Sequence, residues 1–265
     1  MDIAVFGLGK KPSFKSLRYD LKDAHIVVSG SFEYGMATIF DYDIFLFVIS
    51  HLNAEMERIR KLVKYENIDA YLPSRTIKTS AYDILTFCKR STGGRQYKAL
   101  EKALERLKTT VISIKEKGST YRRVGMFGLI DDFKFIKHKE TGELIGLTIS
   151  IANWAYDGIV RTAKPTILTT KEEYFELKKS YHKFLYRMAL KVAGKGTAEY
   201  LLTTLYERSG GGKDFRFFKF DIKKSIAELG ESGKLIDYYI KTTGKARTEK
   251  IMFAYSKRQE LLTEK

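Results

Sequence analysis

The sequence predicts an α+β fold of two tandem units, each a helix-turn-helix extended by a β-hairpin, that is, a winged helix. Three observations predict it. First, an Arg-Ser pair, a glycine-containing turn and a basic amphipathic helix occur twice, in "RSTGGRQYKALEKALERLK" (90–108) and "RSGGGKDFRFFKFDIKKSI" (208–226). Second, a longer amphipathic helix precedes each copy. Third, each copy runs into two β-prone segments flanking a basic loop that contains or adjoins glycine.

Sliding the chain on itself by 118 residues lays "YDILTFCKRSTGGR" (82–95) on "YLLTTLYERSGGGK" (200–213) without a gap. Tyr82/Tyr200, Thr86/Thr204, Arg90/Arg208, Ser91/Ser209, Gly93/Gly211 and Gly94/Gly212 are identical. This period exceeds the 20–50 residues of solenoid units and fits two copies of one domain. The expected domains are 1–160 and 161–265, joined near "RTAKPTILTT", where Pro165 breaks any helix.

In the first unit a long helix is expected from "DYDIFLFVISHLNAEMERIRKLV", with Asp41 as N-cap. In the second, "KKSYHKFLYRMALKVAG" ends at Gly194, a suitable residue just past a helix C-terminus. The glycine turns suit a steep corner between two helices, because glycine adopts positive φ without strain. The hairpin strands are "TTVISIK" (109–115) with "VGMFGLI", and "LIDYYIKTT" (235–243) with "IMFAYS". "NWAYDGIV" (153–160) is expected to pack between the domains with Trp154 in the core. A further hairpin, "FKFIKHKETGELIGLTI", offers surface through which a homodimer would form.

The two basic helices are the candidate recognition elements. In the first, Tyr97, Leu100, Leu104 and Leu107 form an apolar face, while Arg95, Lys98, Lys102 and Arg106 lie roughly opposite. Gln96 has the chemistry to read adenine, and Arg95 guanine. Glu101 and Glu105 interrupt the row and fit solvated pairs with Lys102 and Arg106. In the second, Phe215, Phe218, Ile222, Ile226 and Leu229 form the apolar face, and Lys213, Arg216, Lys219 and Lys223 the basic row. A helix packed by its back on a core, with Arg and Lys in front, is suited to a major groove. The hairpin loops add Lys115, Lys117, Arg122 and Arg123 in the first unit, and Lys241, Lys245, Arg247 and Lys250 in the second. Such a loop suits a DNA backbone or minor groove, although basic hairpin tips also serve as edge protection.

Charge agrees with a polyanionic partner. The 265-residue chain has net charge +16, of which residues 1–160 carry +6 and residues 161–265 carry +10. The longest apolar stretch, "IFLFVIS", is too short to span a bilayer, and the N-terminus lacks signal architecture, so a cytoplasmic protein is expected. The single cysteine, Cys88, excludes disulfide scaffolds and Cys-based zinc sites, and reads as a buried structural thiol. There is no GxxxxGK[ST] phosphate loop, and "GLGKKP" lacks its spacing. His25, His51, His138 and His182 stand far apart and offer no His-x-His pair. Asp41 and Asp43 read as helix-start residues, Asp131 and Asp132 as turn residues. No catalytic residue, metal or cofactor is expected. A transcriptional regulator of the same fold, a single-strand or RNA binder, and a nuclease are the competing readings, the last disfavoured by the missing metal cluster.

The chain resembles the plasmid replication initiator protein A family, the RepA/TrfA-like group. The resemblance rests on "FGLGKKP", "ATIFDYDIFLF" (37–47), "YDILTFCKRSTGG" (82–94), "YKALEKALERLKTTVI" (97–112) and "NWAYDGIV" (153–160). It continues through "LTTKEEYFEL" (168–177), "KFLYRMALKVAG" (183–194) and "LYERSG…FRFFKFDIKKSI" (205–226), in conserved order over most of the chain. It implies a double winged-helix initiator that binds direct repeats in double-stranded origin DNA and helps to melt adjacent AT-rich sequence. It also implies recruitment of the host initiator and replicative helicase, and repression of the protein's own promoter as a dimer. The chain departs from the family pattern at Phe40, where relatives tend to carry Trp, and in its use of lysine for arginine. Lysine cannot copy a bidentate arginine contact to guanine, so the DNA sequence read is expected to differ.

Overall fold

The computed structural model describes residues 3–66, 71–118, 124–140, 144–161, 170–244 and 248–256. The first unit contains β1 (Leu17–Asp20), β2 (Ala24–Ser29), α1 (Tyr42–Glu66), β3 (Thr76–Thr79), α2 (Ala81–Phe87) and α3 (Gly94–Thr109). It continues with β4 (Val111–Glu116), β5 (Val124–Gly128), β6 (Ile130–Lys137), β7 (Leu144–Ile151) and α4 (Asn153–Val160). The second contains α5 (Glu173–Glu176), α6 (Ser180–Val192), β8 (Thr197–Leu201), α7 (Leu202–Arg208) and α8 (Phe215–Ala227). It ends with β9 (Lys234–Leu235), β10 (Tyr238–Thr243) and β11 (Lys250–Tyr255).

Among the described residues both wings form as the sequence predicts. β4 pairs antiparallel with β5, Val111 opposite Gly128, and β10 pairs antiparallel with β11, Tyr238 opposite Tyr255. Each wing is extended into a sheet, in the orders β1-β2-β4-β5 and β8-β11-β10-β9, and the extra hairpin forms a third sheet, β3-β7-β6. Asp131 and Asp132 lie in β6, not in a turn. Asp131 sits at a register shift against β7, a bulge that turns its carboxylate to Arg75.

The core is continuous across both units. α1 explains why: "IFLFVI" (44–49) is apolar on every side and buried on every side, after which Leu52, Met56 and Ile59 continue as one stripe. Each fully buried side chain of this kind contributes about 1.5–3 kcal/mol. α4 packs on α1. Trp154 is half-buried in the first unit, its ring 6.2 Å from that of Phe45 and 5.5 Å from that of Phe127, and its indole N–H donates to the Gly128 carbonyl at 2.7 Å.

The repeat is real in architecture but not gap-free. Shifting by 118 residues takes the buried face of α3, Leu100, Leu104 and Leu107, onto Phe218, Ile222 and Ser225 of α8. The preceding helices need a shift of 121, which takes Ala81, Ile84 and Cys88 onto Leu202, Leu205 and Ser209. The second turn is therefore three residues shorter, and Tyr82/Tyr200 and Thr86/Thr204 are not structural equivalents: Tyr82 is in α2, Tyr200 in β8. The glycines also differ in role. In the first turn positive φ falls on Lys89, while Gly93 is the extended N-cap of α3. In the second it falls on Gly210 and Gly211.

Candidate nucleic-acid interface

α3 begins after Gly93, buries Leu100, Ala103, Leu104 and Leu107, and ends where Thr110 turns extended. Arg95, Lys98 and Lys102 are exposed on the opposite side, and Gln96 is half-buried at the first turn. Arg95 and Lys98 have no hydrogen-bond or ion-pair partner among the described residues. Arg106 departs from the expected row. Its guanidinium grips the Asp41 carboxylate in a fork, Nε to Oδ2 at 2.7 Å and a terminal nitrogen to Oδ1 at 2.8 Å. Asp41 is buried and also accepts from the Thr38 backbone N–H at 2.8 Å and from its hydroxyl at 3.0 Å. Its carboxylate thus clasps the loop before α1 to α3, and the amides of α1 are met instead by its carbonyl, which accepts from Ile44 at 3.0 Å and from Phe45 at 3.5 Å.

α8 begins with Asp214, whose carboxylate accepts from the Arg216 backbone N–H at 2.8 Å. Phe218, Ile222 and Ser225 are buried, with Phe215 and Ile226 half-buried beside them. Opposite lie Arg216, Lys223 and Lys224, together with two exposed aromatics, Phe217 and Phe220. Lys213 binds Asp221 at 2.8 Å. Lys219 and Lys223 flank one carboxylate, Glu249, at 2.6 and 2.5 Å. Glu249 stands just before β11, so the pair ties the base of the wing to α8. Burial of Glu249 would raise its pKa, but Lys219 and Lys223 outweigh that and hold it below the usual carboxylate range.

The wing loops fall partly outside the described residues. Lys117 ties the first wing back to the sheet, pairing with Asp20 and donating to the Leu21 carbonyl at 2.7 Å. Lys115 and Lys241 are exposed, and Lys250 pairs with Glu199 at 3.1 Å. Arg122, Arg123, Lys245 and Arg247 lie outside the described residues, as does Pro165.

The units are locked together by groups that sequence reasoning missed. Asp43 of α1 receives Lys183 of α6, with Arg90 of the first turn beside it at 3.3 Å. Arg187 donates to the Tyr42 hydroxyl at 2.5 Å. The Ala4 N–H donates to the Arg208 carbonyl at 2.8 Å, tying the N-terminal segment to the second turn. Cys88 is buried beneath this junction, and burial pushes its thiol up to about 12, so it is an inert structural residue. His182 packs inward, its ring nitrogen 2.9 Å from the Ser225 carbonyl. Among the described residues no group of three His, Cys, Asp or Glu could hold a metal ion, and no helix is long and apolar enough to cross a membrane.

Two winged helices, each presenting the outer face of a recognition helix, define a double winged-helix protein of the kind that binds DNA. The profile of the replication initiator protein A family matches residues 1–238, and the chain belongs to that family. A relative from Wigglesworthia glossinidia brevipalpis, described as a putative replication protein, is 31% identical over 210 residues, covering 78% of this chain and 70% of its own. Two crystal structures of domains 2 and 3 of RctB share the fold. One has a TM-score of 0.58 and covers 98% of both chains; the other, a selenomethionine form, has 0.62 and covers 95% of this chain and 94% of its own. Both are 14% identical to this chain.

Proposed function

We propose that this replication initiator binds spaced direct repeats in double-stranded origin DNA, with residues 1–160 and 161–265 as its two reading modules. α3 and α8 enter successive major grooves, with Arg95, Gln96, Lys98 and Lys102 on one and Lys213, Arg216, Lys219 and Lys223 on the other. The wing-loop cations Lys117, Arg122, Arg123, Lys245 and Arg247 contact the flanking phosphates. The observation that carries this reading is the pair of recognition helices, each buried by one face and open by the other, in a chain of net charge +16. Two linked modules gain affinity through effective concentration. Binding then promotes opening of adjacent AT-rich DNA and recruitment of the host initiator and replicative helicase, a non-enzymatic role carried out in the cytoplasm. A homodimer formed through the first unit acts on the protein's own promoter.

The test is selection of duplex fragments from random and host-replicon libraries by the purified protein, at two salt concentrations. Enrichment of spaced direct repeats that persists at the higher salt is the expected result. Motif-free binding that collapses with salt would reduce the interaction to phosphate attraction and overturn the reading.

A further inference from the structure

Phe217 and Phe220 of α8 are 65% and 64% exposed, although the helix needs neither for its core. Phe218 and Ile222 fill the buried face and leave nothing for the other two rings to pack on. At 100° per residue, Phe217 and Phe220 stand within one turn of each other on the side opposite that core. Arg216 and Lys224 share this side. Two exposed aromatic rings framed by cations are an unusual surface for a soluble helix, where large apolar groups normally turn inward.

Comparison of the two recognition helices isolates the feature. The shift of 118 residues that superposes their buried faces takes Lys98 onto Arg216, Ala99 onto Phe217 and Lys102 onto Phe220. The outer face of α3 is thus small and basic, whereas α8 carries aromatic surface at the matching positions. In the major groove only thymine offers an apolar group, its C5-methyl, and phenylalanine is one of the side chains that meets it. The cations on either side suit the phosphates that border the groove.

We infer that Phe217 and Phe220 read thymine methyl groups and give the second winged helix an apolar base readout that α3, with Ala99 and Lys102 at the matching positions, does not have. This rests on the proposed duplex-binding function and deepens it. The probe is the duplex selected from the random library, remade with thymine replaced by uracil one position at a time, which removes only the methyl. Binding of the full chain is followed by fluorescence anisotropy. At one or two positions inside the motif, wild type loses about three- to five-fold in affinity, the worth of roughly one buried methyl group. Phe217→Ala and Phe220→Ala bind the thymine duplex more weakly and lose the preference at their own position; being exposed, both substitutions leave the circular dichroism spectrum and thermal midpoint unchanged. A selected motif whose affinity is indifferent to every uracil substitution overturns this inference alone. So does full retention of the thymine preference in both variants, or loss of single-strand binding with duplex affinity intact, which would make the rings stacking platforms. Failure to select any motif overturns the underlying function as well.

Discussion

Lys183 of α6 places its ammonium 3.0 and 3.2 Å from the two carboxylate oxygens of Asp43 in α1, and both side chains are buried. The same ammonium donates to the Tyr174 carbonyl at 3.2 Å and lies 4.0 Å from the centre of that ring. Every donor has a direction to point in, which is what a buried charge requires. The pair fixes the second unit on the central helix of the first, so the two recognition helices are presented in one orientation.

Lys183→Met keeps the volume and strands Asp43 with Arg90 alone. Loss of one partner of a buried pair costs about 3–5 kcal/mol, and urea unfolding at pH 7.5 should read a loss of that size. Burial already pushes the Asp43 carboxyl above the usual range against the pull of Lys183 and Arg90, and removal of Lys183 pushes it further. A folded pKa above the unfolded one penalises the folded state when the group must ionise. That penalty is absent below the unfolded pKa and grows as pH rises through the folded one. The loss relative to wild type should therefore be smaller at pH 5 than at pH 7.5; equal losses would show that Asp43 stays ionised.

The two turns respond oppositely to alanine. A Cβ on Gly210 would lie 2.6 Å from the Tyr19 hydroxyl and 2.8 Å from Leu17 Cβ, at a φ of +83°. Gly210→Ala should lower stability by about 1–3 kcal/mol and loosen the contact between the second turn and β1. At Gly94 nothing lies within 4 Å and the residue is already helical, so Gly94→Ala should be neutral or stabilise by up to about 1 kcal/mol. Thermal midpoints of the two variants check both directions.

The winged helices and their order were legible because each depends on local signals: periodicity of "YKALEKALERLK", β-branched runs, glycine turns, and Gly194 closing α6 at a φ of +53°. The junction was not, because it is made by residues distant in sequence. Asp43 and Lys183 stand 140 residues apart, and nothing near Asp43 distinguishes an ion-pair partner from a helix-start carboxylate. Arg106 was misplaced for the same reason, since periodicity gives a side chain's face but not the carboxylate waiting beside it. Phe217 and Phe220 left a trace in the sequence. Four phenylalanines in "FRFFKF" cannot share one side of a helix, so some had to face outward.

Arg106 and Lys98 separate structure from recognition on α3. Arg106→Ala removes a forked, part-buried clasp on Asp41 and should cost about 3 kcal/mol in unfolding free energy. Arg106→Lys should recover little, because an ammonium cannot bridge both oxygens in the same way. The folded fraction of either variant should bind DNA as wild type does. Lys98→Ala should leave unfolding within about 0.5 kcal/mol of wild type and reduce the salt slope of duplex binding by about 1. Binding titrations at three salt concentrations beside urea curves distinguish the two residues.

Glu249 decides how much of the α8 charge is available to DNA. Its carboxylate lies between Lys219 and Lys223, so part of the basic row is neutralised by the protein's own wing. Glu249→Gln should release both ammonium groups toward phosphate. Non-specific duplex affinity should rise, and the slope of log affinity against log salt should steepen by about one to two, at roughly 0.9 per phosphate contacted. Stability should fall in the same variant, since a carboxyl held below its ordinary pKa stabilises the fold above the unfolded pKa. In wild type that contribution disappears as pH falls through the lowered folded value, so the variant and wild type should converge in stability once the pH lies below it. An unchanged salt slope would show that the two lysines already reach DNA with Glu249 in place, and that the carboxylate serves only to hold the wing against the helix.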